Sequence, residues 1–137
     1  MNINDVKNEK DMPSCLLRAI FAKQQELHEK YMEIEAKKGI LTSKGPVDIN
    51  TCHGQQIIKD FFWRITEELG EAANCLKNKP WKQTEILTDE EHFKEEVIDA
   101  FHFFIEALIL MGFDAEILYN YYFKKNAVNK FRQRSKY

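Results

Sequence analysis

The sequence predicts an all-α protein, a bundle of four to five helices forming one domain over residues 1–137. Apolar side chains recur at three- and four-residue intervals in four segments, which is the spacing of one helix face. Capping residues, glycines and prolines separate these segments, and none of them shows the alternation typical of a strand. With 137 residues, 44% of them hydrophobic, the chain is long enough to bury one sizeable core.

The first predicted helix follows a polar N-terminus that we expect to be loose over residues 1–11. Asp11 and Pro13 indicate where the helix begins, because a carboxylate can cap free amides and proline tolerates the first turn. Gly39 is a typical helix end, and residues 39–53 are predicted to form a loop.

The second and third predicted helices are separated by a break at Lys79-Pro80-Trp81. Thr51 is a candidate cap for the second helix, which is expected to run to about Asn78. Either Thr88 or Asp89 is expected to cap the third helix.

The third helix ends near Gly112 and is apolar on most of its faces, and Asp114 then caps a fourth helix that runs almost to the C-terminus. A helix that is apolar nearly all round is buried on more than one side. We therefore expect a second copy of the chain to cover part of it in a homodimer, the alternative being a fully covered central helix in a monomer. Its apolar residues are Phe93, Val97, Ile98, Phe101, Phe103, Phe104, Ile105, Leu108, Ile109 and Leu110.

The composition favours a soluble cytoplasmic protein that binds neither nucleic acid nor membrane. The net charge of -2 gives no general attraction to polyanions. The three cysteines, Cys15, Cys52 and Cys75, lack the regular spacing of a disulfide framework and indicate a reducing compartment. The first dozen residues are too polar for a signal peptide, and the longest apolar run, 101–113, is too short to span a bilayer.

Two acidic clusters are the most informative feature of the chain: Glu67-Glu68-x-x-Glu71 on the second helix and Glu96-x-x-Asp99 on the third. Positions i and i+3 of a helix point the same way, so Glu68 pairs with Glu71, and Glu96 pairs with Asp99. Two such pairs facing each other need cations to stay ionised in a packed interior, and oxygen ligands favour Mg²⁺. The alternative is a solvated charged face, although apolar neighbours on both helices place these carboxylates at the border of the core.

A basic row on the fourth helix is a candidate phosphate-binding surface. Lys125, Asn129 and Arg132 fall at i, i+4 and i+7 and share one helix face. Lysine offers a mobile charge and arginine a planar fork, which together suit a polyphosphate. The alternative is a cationic last turn that complements the helix dipole.

Five residues could contact a flat ligand or could belong to the core and the surface. His102 could bind a metal, contact a base or be a core histidine, and Phe103 could stack on a base or simply pack. Trp81 lies in a Lys-Pro-Trp-Lys turn, where it could cover a ligand or the edge of the core. Gln24 and His28 share one face of the first helix, where glutamine matches a pyrimidine edge and the alternative is a flank facing water.

Other chemistries lack their motifs. Cys52-His53 has no second pair at the spacing of a zinc site, and there is neither a glycine-rich phosphate loop nor a serine nucleophile motif. A di-iron bundle would need a Glu-x-x-His on each of two helices, and neither acidic cluster supplies one.

Together these motifs resemble the all-α nucleoside triphosphate pyrophosphatases, the superfamily of MazG and the dimeric dUTPases. The superfamily pattern is present as 67-EELGE-71 and 96-EVID-99. The segments 24-QQELH-28, 99-DAFHF-103 and 125-KNAVNKFRQ-133 are similar to dimeric dUTPases and to the dCTP/dUTP pyrophosphatase type of T-even bacteriophages. The resemblance covers residues 20–35 and 55–137, and it implies a phage or prophage origin, with the host cytoplasm as the location.

The resemblance implies that Glu68, Glu71, Glu96 and Asp99 hold two or more Mg²⁺ ions per site, with Mn²⁺ as a substitute. Glu67 would lie behind these ligands or bind partially. Glu68 or Glu71 would orient or deprotonate a water that attacks the α-phosphate, releasing the nucleoside monophosphate and pyrophosphate.

The resemblance also implies that Lys125, Asn129, Arg132 and Tyr137 clamp the phosphates. The implied nucleoside pocket consists of Gln24, His28, Trp81, His102 and Phe103. His28 stands where asparagine is usual in this family, which predicts a shifted or broader choice of base.

The predicted function is therefore Mg²⁺-dependent hydrolysis of dUTP, and also of dCTP, by a homodimer whose site is completed near the interface. One alternative is a MazG-like pyrophosphatase for another or a modified deoxynucleotide. The other is a non-catalytic helical interaction protein, which the intact carboxylates at all four metal positions disfavour.

Overall fold

The structure, a computed structural model, describes residues 1–135 and confirms the all-α fold. No strand occurs within these residues. The helices are α1 (Leu16–Lys37), α2 (Cys52–Asn74), α3 (Glu90–Leu110) and α4 (Ala115–Arg134), preceded by a short 3-10 turn at Ile3–Asp5.

Side-chain caps begin three of the four helices. Thr51, Asp89 and Asp114 each accept a hydrogen bond from a backbone amide in the first turn of α2, α3 and α4, respectively. These bonds satisfy amides that have no partner inside the helix. Of the two candidates for α3, the cap is Asp89 and not Thr88. Between α3 and α4, Gly112 has a φ of 86°, a conformation that glycine adopts without strain.

Two helix boundaries differ from the sequence prediction. Helix α1 begins at Leu16 and not near Pro13, and no side chain caps its start, so it begins where the apolar pattern begins. Helix α2 ends at Asn74 and not near Asn78. The Asn78 side chain instead donates to the Ile86 carbonyl and accepts from the Ile86 amide, so Asn78 belongs to the loop before α3.

Helix α3 is the central element of the fold because it contributes to both clusters of the hydrophobic core. Its contacts with α2 are the most extensive, and α1 packs on another side of it. The first cluster joins α1, the end of α3 and the first turn of α4, through Phe21, Ile105, Leu108, Ile109 and Ala115. The second joins α2 to α3, through Ile57, Ile58, Phe61, Ala107 and Leu110.

The segment between α1 and α2 contains no helix and is fixed at two points. The Val47 amide donates to the Leu110 carbonyl at 2.8 Å, which ties the segment to the end of α3. The Ser43 carbonyl lies 2.8 Å from the Nε2 atom of His28 on α1. Gly54, in the first turn of α2, has no room for a side chain because an added Cβ would overlap the Asp48 carbonyl oxygen.

Large apolar side chains remain exposed on α3 and α4 in the single chain. On α3, Val97, Ile98, Phe101 and Phe104 are 38–47% exposed. On α4, the aromatic residues Tyr119, Tyr121, Tyr122, Phe123 and Phe131 are 61–67% exposed. No helix within residues 1–135 is long and apolar enough to cross a membrane.

Candidate active site

Three of the four predicted metal ligands converge where α2 packs against α3. Glu68 on α2 and Glu96 with Asp99 on α3 each offer a carboxylate oxygen, and these oxygens all lie within 4.8 Å of one another. All three residues are half-buried. Glu71, one turn after Glu68, is more exposed but lies within hydrogen-bonding reach of both Glu68 and Glu96.

The cluster accumulates negative charge that the surrounding protein does not balance. Burial, reinforced by the charges of Glu71, Asp99 and Glu96, raises the pKa of Glu68 from 4.5 to about 7. A hydrogen bond with Glu71, followed by burial, raises the pKa of Glu96. The nearby His92, whose Nε2 atom lies 3.6 Å from a Glu96 oxygen, opposes that rise only in part. These shifts mean that the site favours an added positive charge.

The cluster fits a divalent cation. Within residues 1–135, the Oε2 atom of Glu96 is the one buried side-chain oxygen or nitrogen without a hydrogen-bond partner. A buried acceptor left unpaired costs free energy, and a cation shared with Glu68 and Asp99 would supply the missing partner. The donors are all carboxylate oxygens, which suits a hard cation such as Mg²⁺ or Mn²⁺ and not a thiolate-bound metal.

A cavity of about 280 Å³ opens beside the cluster and contains two predicted nucleoside contacts, His102 and Phe103. Phe103 is held by edge-to-face contact with Phe61, with ring centroids 6.3 Å apart, so its ring forms a fixed part of the wall. His102 donates from Nδ1 to the Ile98 carbonyl at 3.0 Å, which turns Nε2 outward. The lining is completed by Leu27, Tyr31, Glu68, Asp99 and Glu106.

A second cavity, of about 510 Å³, lies on the other side of the cluster. It is lined by Glu71 and Glu96 together with Lys77 and His92, two basic residues that sequence reasoning did not assign to the site. The carboxylates are therefore accessible from two sides, and a ligand on this side would meet positive as well as negative groups.

Gln24 and His28 lie in the interior, bonded to a residue that the sequence analysis missed. Glu106 on α3 accepts from the Gln24 side-chain amide at 3.0 Å and lies 2.8 Å from Nδ1 of His28. All three residues are 4% exposed or less. Glu106 interrupts the apolar run 101–113, and a charged residue in such a run requires a buried partner, so the signal was present in the sequence.

His28 does not present a free edge to a base in this arrangement. Its second ring nitrogen, Nε2, lies 2.8 Å from the Ser43 carbonyl, so both ring nitrogens are already engaged. The direct contact with a nucleoside that we expected from His28 therefore stays a prediction, and the observed contacts are structural.

The comparison with known protein families matches the part of the chain that carries this site. A family model described as dUTPase matches residues 16–111, which include α1, α2, α3 and all four carboxylates. The chain belongs to the dUTPase family. No curated protein and no solved structure matches the chain.

Membership in the dUTPase family makes the chain a dUTP diphosphatase and therefore a nucleoside triphosphate pyrophosphatase. This confirms the class of enzyme that the acidic motifs predicted. Enzymes of this family generally use a divalent metal, in agreement with the carboxylate cluster. The match ends at residue 111, so it does not test the resemblance of α4.

The other predicted contacts of this dUTPase lie apart from the cluster within the single chain. Trp81 is 77% exposed on the loop between α2 and α3 and is not among the residues that line the two cavities. Lys125 and Asn129 are exposed on α4, with Arg132 further along the same helix. Helix α4 joins the core through its first turn, and none of its residues lines either cavity. Tyr137 lies outside the described residues.

Proposed function

We propose that the enzyme hydrolyses dUTP, and dCTP more slowly, to the nucleoside monophosphate and pyrophosphate in a Mg²⁺-dependent reaction. The observation that carries this proposal is the convergence of Glu68, Glu96 and Asp99 beside a cavity with an aromatic wall. In the reaction, the oxygen of water forms a bond to the α-phosphorus, and the bond from that phosphorus to the bridging oxygen breaks. Pyrophosphate leaves with that oxygen, and the proton of the water passes to a carboxylate.

The four carboxylates are proposed to bind a cation, and two of them also to accept the proton of the attacking water. Glu68, Glu71, Glu96 and Asp99 would hold Mg²⁺ or Mn²⁺, which when bound neutralises phosphate charge and makes water more acidic. Glu71 is the more exposed of the four, so it is best able to orient water from the solvent side. Glu68 and Glu71 are the proposed proton acceptors, since a carboxylate at hydrogen-bonding distance can act as a general base.

The nucleoside is proposed to occupy the cavity beside the cluster. Phe103 would pack against the base and sugar, and His102 would offer Nε2 to a polar group of the nucleoside. Gln24 would read the base, and Trp81 would cover it after a movement of its loop. His28 would act on the base indirectly through Glu106 and Gln24.

A homodimer is proposed to complete the site. The exposed apolar residues Ile98, Phe101 and Phe104 on α3 form a surface that a second copy would cover. Lys125, Asn129 and Arg132 are not among the residues that line the two cavities at the cluster, and Tyr137 follows them in the sequence. These residues could therefore reach phosphates in a site completed near the dimer interface.

The test is pyrophosphate release from a panel of deoxynucleoside and ribonucleoside triphosphates, with MgCl₂, MnCl₂ or EDTA. We expect rapid release from dUTP, slower release from dCTP and no release in EDTA. Turnover of dUTP that persists in EDTA would contradict the metal-dependent mechanism. Release of inorganic phosphate without pyrophosphate would contradict attack at the α-phosphate.

A further inference from the structure

A buried group of three polar side chains joins α1 to α3 next to the proposed nucleoside site. Glu106 is 1% exposed, and its two oxygens are used by different partners: Oε1 by the Gln24 amide nitrogen at 3.0 Å and Oε2 by His28 Nδ1 at 2.8 Å. His28 is equally buried, with an exposure of 1%, and Gln24 has an exposure of 4%. A carboxylate removed from water in this way needs both partners.

The partners of His28 determine its charge. The ionised Glu106 carboxylate and the Ser43 carbonyl can only accept hydrogen bonds, and one lies 2.8 Å from each ring nitrogen. With Glu106 ionised, both ring nitrogens carry a hydrogen, and His28 is an imidazolium that neutralises Glu106. Burial lowers the pKa of His28, but the hydrogen bonds to Glu106 and Ser43 together with the charge of Glu106 outweigh it, so the pKa is raised.

The same requirement determines which way the Gln24 amide points. Because Glu106 accepts and cannot donate, the NH₂ end of Gln24 must face it, and the amide oxygen must face away. Gln24 lines a groove of about 470 Å³ between α1 and α3, and Leu27 and His102 line both this groove and the cavity beside the carboxylates.

We propose that Glu106, held by His28, is a positioning residue that sets base specificity by fixing the Gln24 amide with its oxygen toward the base. This inference rests on the proposed function, since it requires a nucleotide in that site. A fixed acceptor suits the N3–H donor of uracil, whereas cytosine presents a lone pair at N3. An amide that is free to turn could satisfy either base. Glu106, which also lines the cavity beside the carboxylates, therefore favours dUTP over dCTP by fixing the Gln24 amide.

The decisive comparison uses Glu106→Gln, with Glu33→Gln as the matched control on the exposed face of α1. We expect the ratio of kcat/KM for dUTP to that for dCTP to fall about tenfold in Glu106→Gln, which corresponds to about one hydrogen bond. The lower kcat/KM for dUTP should result from a higher KM. The kcat should stay within about threefold of wild type, since the carboxylate cluster is intact. Glu33→Gln should keep the wild-type ratio.

Two further variants separate positioning from a general loss of structure. Gln24→Leu removes the proposed acceptor, so it should lower the dUTP to dCTP ratio as Glu106→Gln does. The double variant should match Gln24→Leu in its dUTP to dCTP ratio, because Glu106 sets that ratio through Gln24. An unchanged ratio in folded Glu106→Gln, or equal losses for both nucleotides, would overturn the inference. If Glu106→Gln does not fold, an unchanged ratio in folded Gln24→Leu overturns it as well.

Wild-type behaviour distinguishes failure of this inference from failure of the proposed function. A wild-type protein that releases no pyrophosphate would contradict the proposed function. Titration calorimetry with dUMP and dCMP in EDTA would then still test Glu106 directly. Preference of wild type for dUMP that Glu106→Gln reduces supports positioning, and equal affinities of wild type for the two monophosphates overturn it.

Discussion

Replacing Glu68 with glutamine should stabilise the metal-free protein while removing its metal-dependent activity. Burial and the charges of Glu71, Asp99 and Glu96 raise the pKa of Glu68 from 4.5 to about 7. Such a carboxyl is harder to ionise in the folded than in the unfolded chain, so its charge opposes folding above that pH. Glu68→Gln has a similar shape without the charge, so it removes the destabilisation of the folded state by that charge.

The magnitude of the effect follows from the position of the pKa. Each pH unit between the folded and unfolded values corresponds to about 1.4 kcal/mol, so complete burial would give about 3 kcal/mol. Because Glu68 is only half-buried and solvent screens part of the repulsion, we expect about 1–2 kcal/mol near pH 8. The folded state retains the extra proton between pH 4.5 and about 7. Wild-type stability therefore falls as the pH rises through that window, and the advantage of Glu68→Gln disappears below it.

The assay is urea unfolding followed by circular dichroism in EDTA, at about pH 8 and about pH 4.5, with Glu33→Gln as the surface control. Glu68→Gln should have the higher free energy of unfolding near pH 8 only. MgCl₂ at a hundred times its Kd should then stabilise wild type by about 2.7 kcal/mol and the variant by much less. A variant that is no more stable than wild type near pH 8, or equally stabilised at both pH values, would refute the reasoning.

Four further changes test other parts of the protein. Glu71→Gln should fold but lose Mg²⁺-dependent turnover by about 100-fold or more, and retained pyrophosphate release would break its assignment. Phe104→Glu should convert the proposed dimer to a monomer in sedimentation, and an unchanged mass would contradict an interface at this surface. Gly54→Ala should lower the Tm because its methyl group would overlap a loop carbonyl, whereas Gly70→Ala, with open space around it, should raise stability by about 0.5–1 kcal/mol. A Tm of Gly54→Ala equal to that of wild type would contradict the tight contact.

The sequence predicted the helices well because their determinants are local. Thr51, Asp89 and Asp114 cap helices at predicted positions, since a cap depends on the residue and its next few neighbours. The end of α2 was placed too late because the bonds of Asn78 to Ile86 join residues across a loop. Such contacts depend on the path of the chain, which spacing along one helix does not define.

The convergence of the carboxylates was predictable for the same reason, and the buried bonding of Gln24 and His28 was not. Glu96 and Asp99 share a face of α3 because of their spacing. The similar pattern on α2 favoured the hypothesis that they lie close to Glu68, as the structure shows. The bonding of His28 to Glu106 joins residues 78 positions apart. Spacing indicates which residues share a face, but it does not indicate which faces of two helices meet.

Two glutamates on α3, Glu106 and Glu96, differ in whether the charge of the carboxylate is balanced within the chain. Glu106 has both oxygens bonded, to a protonated histidine and an amide, so its charge is balanced inside the chain. Glu96 has one buried oxygen without a partner, and its neighbours Glu68 and Asp99 add charge of the same sign. The first arrangement is complete without a ligand. The second has a deficit that a cation would relieve, and so the site of chemistry is expected there.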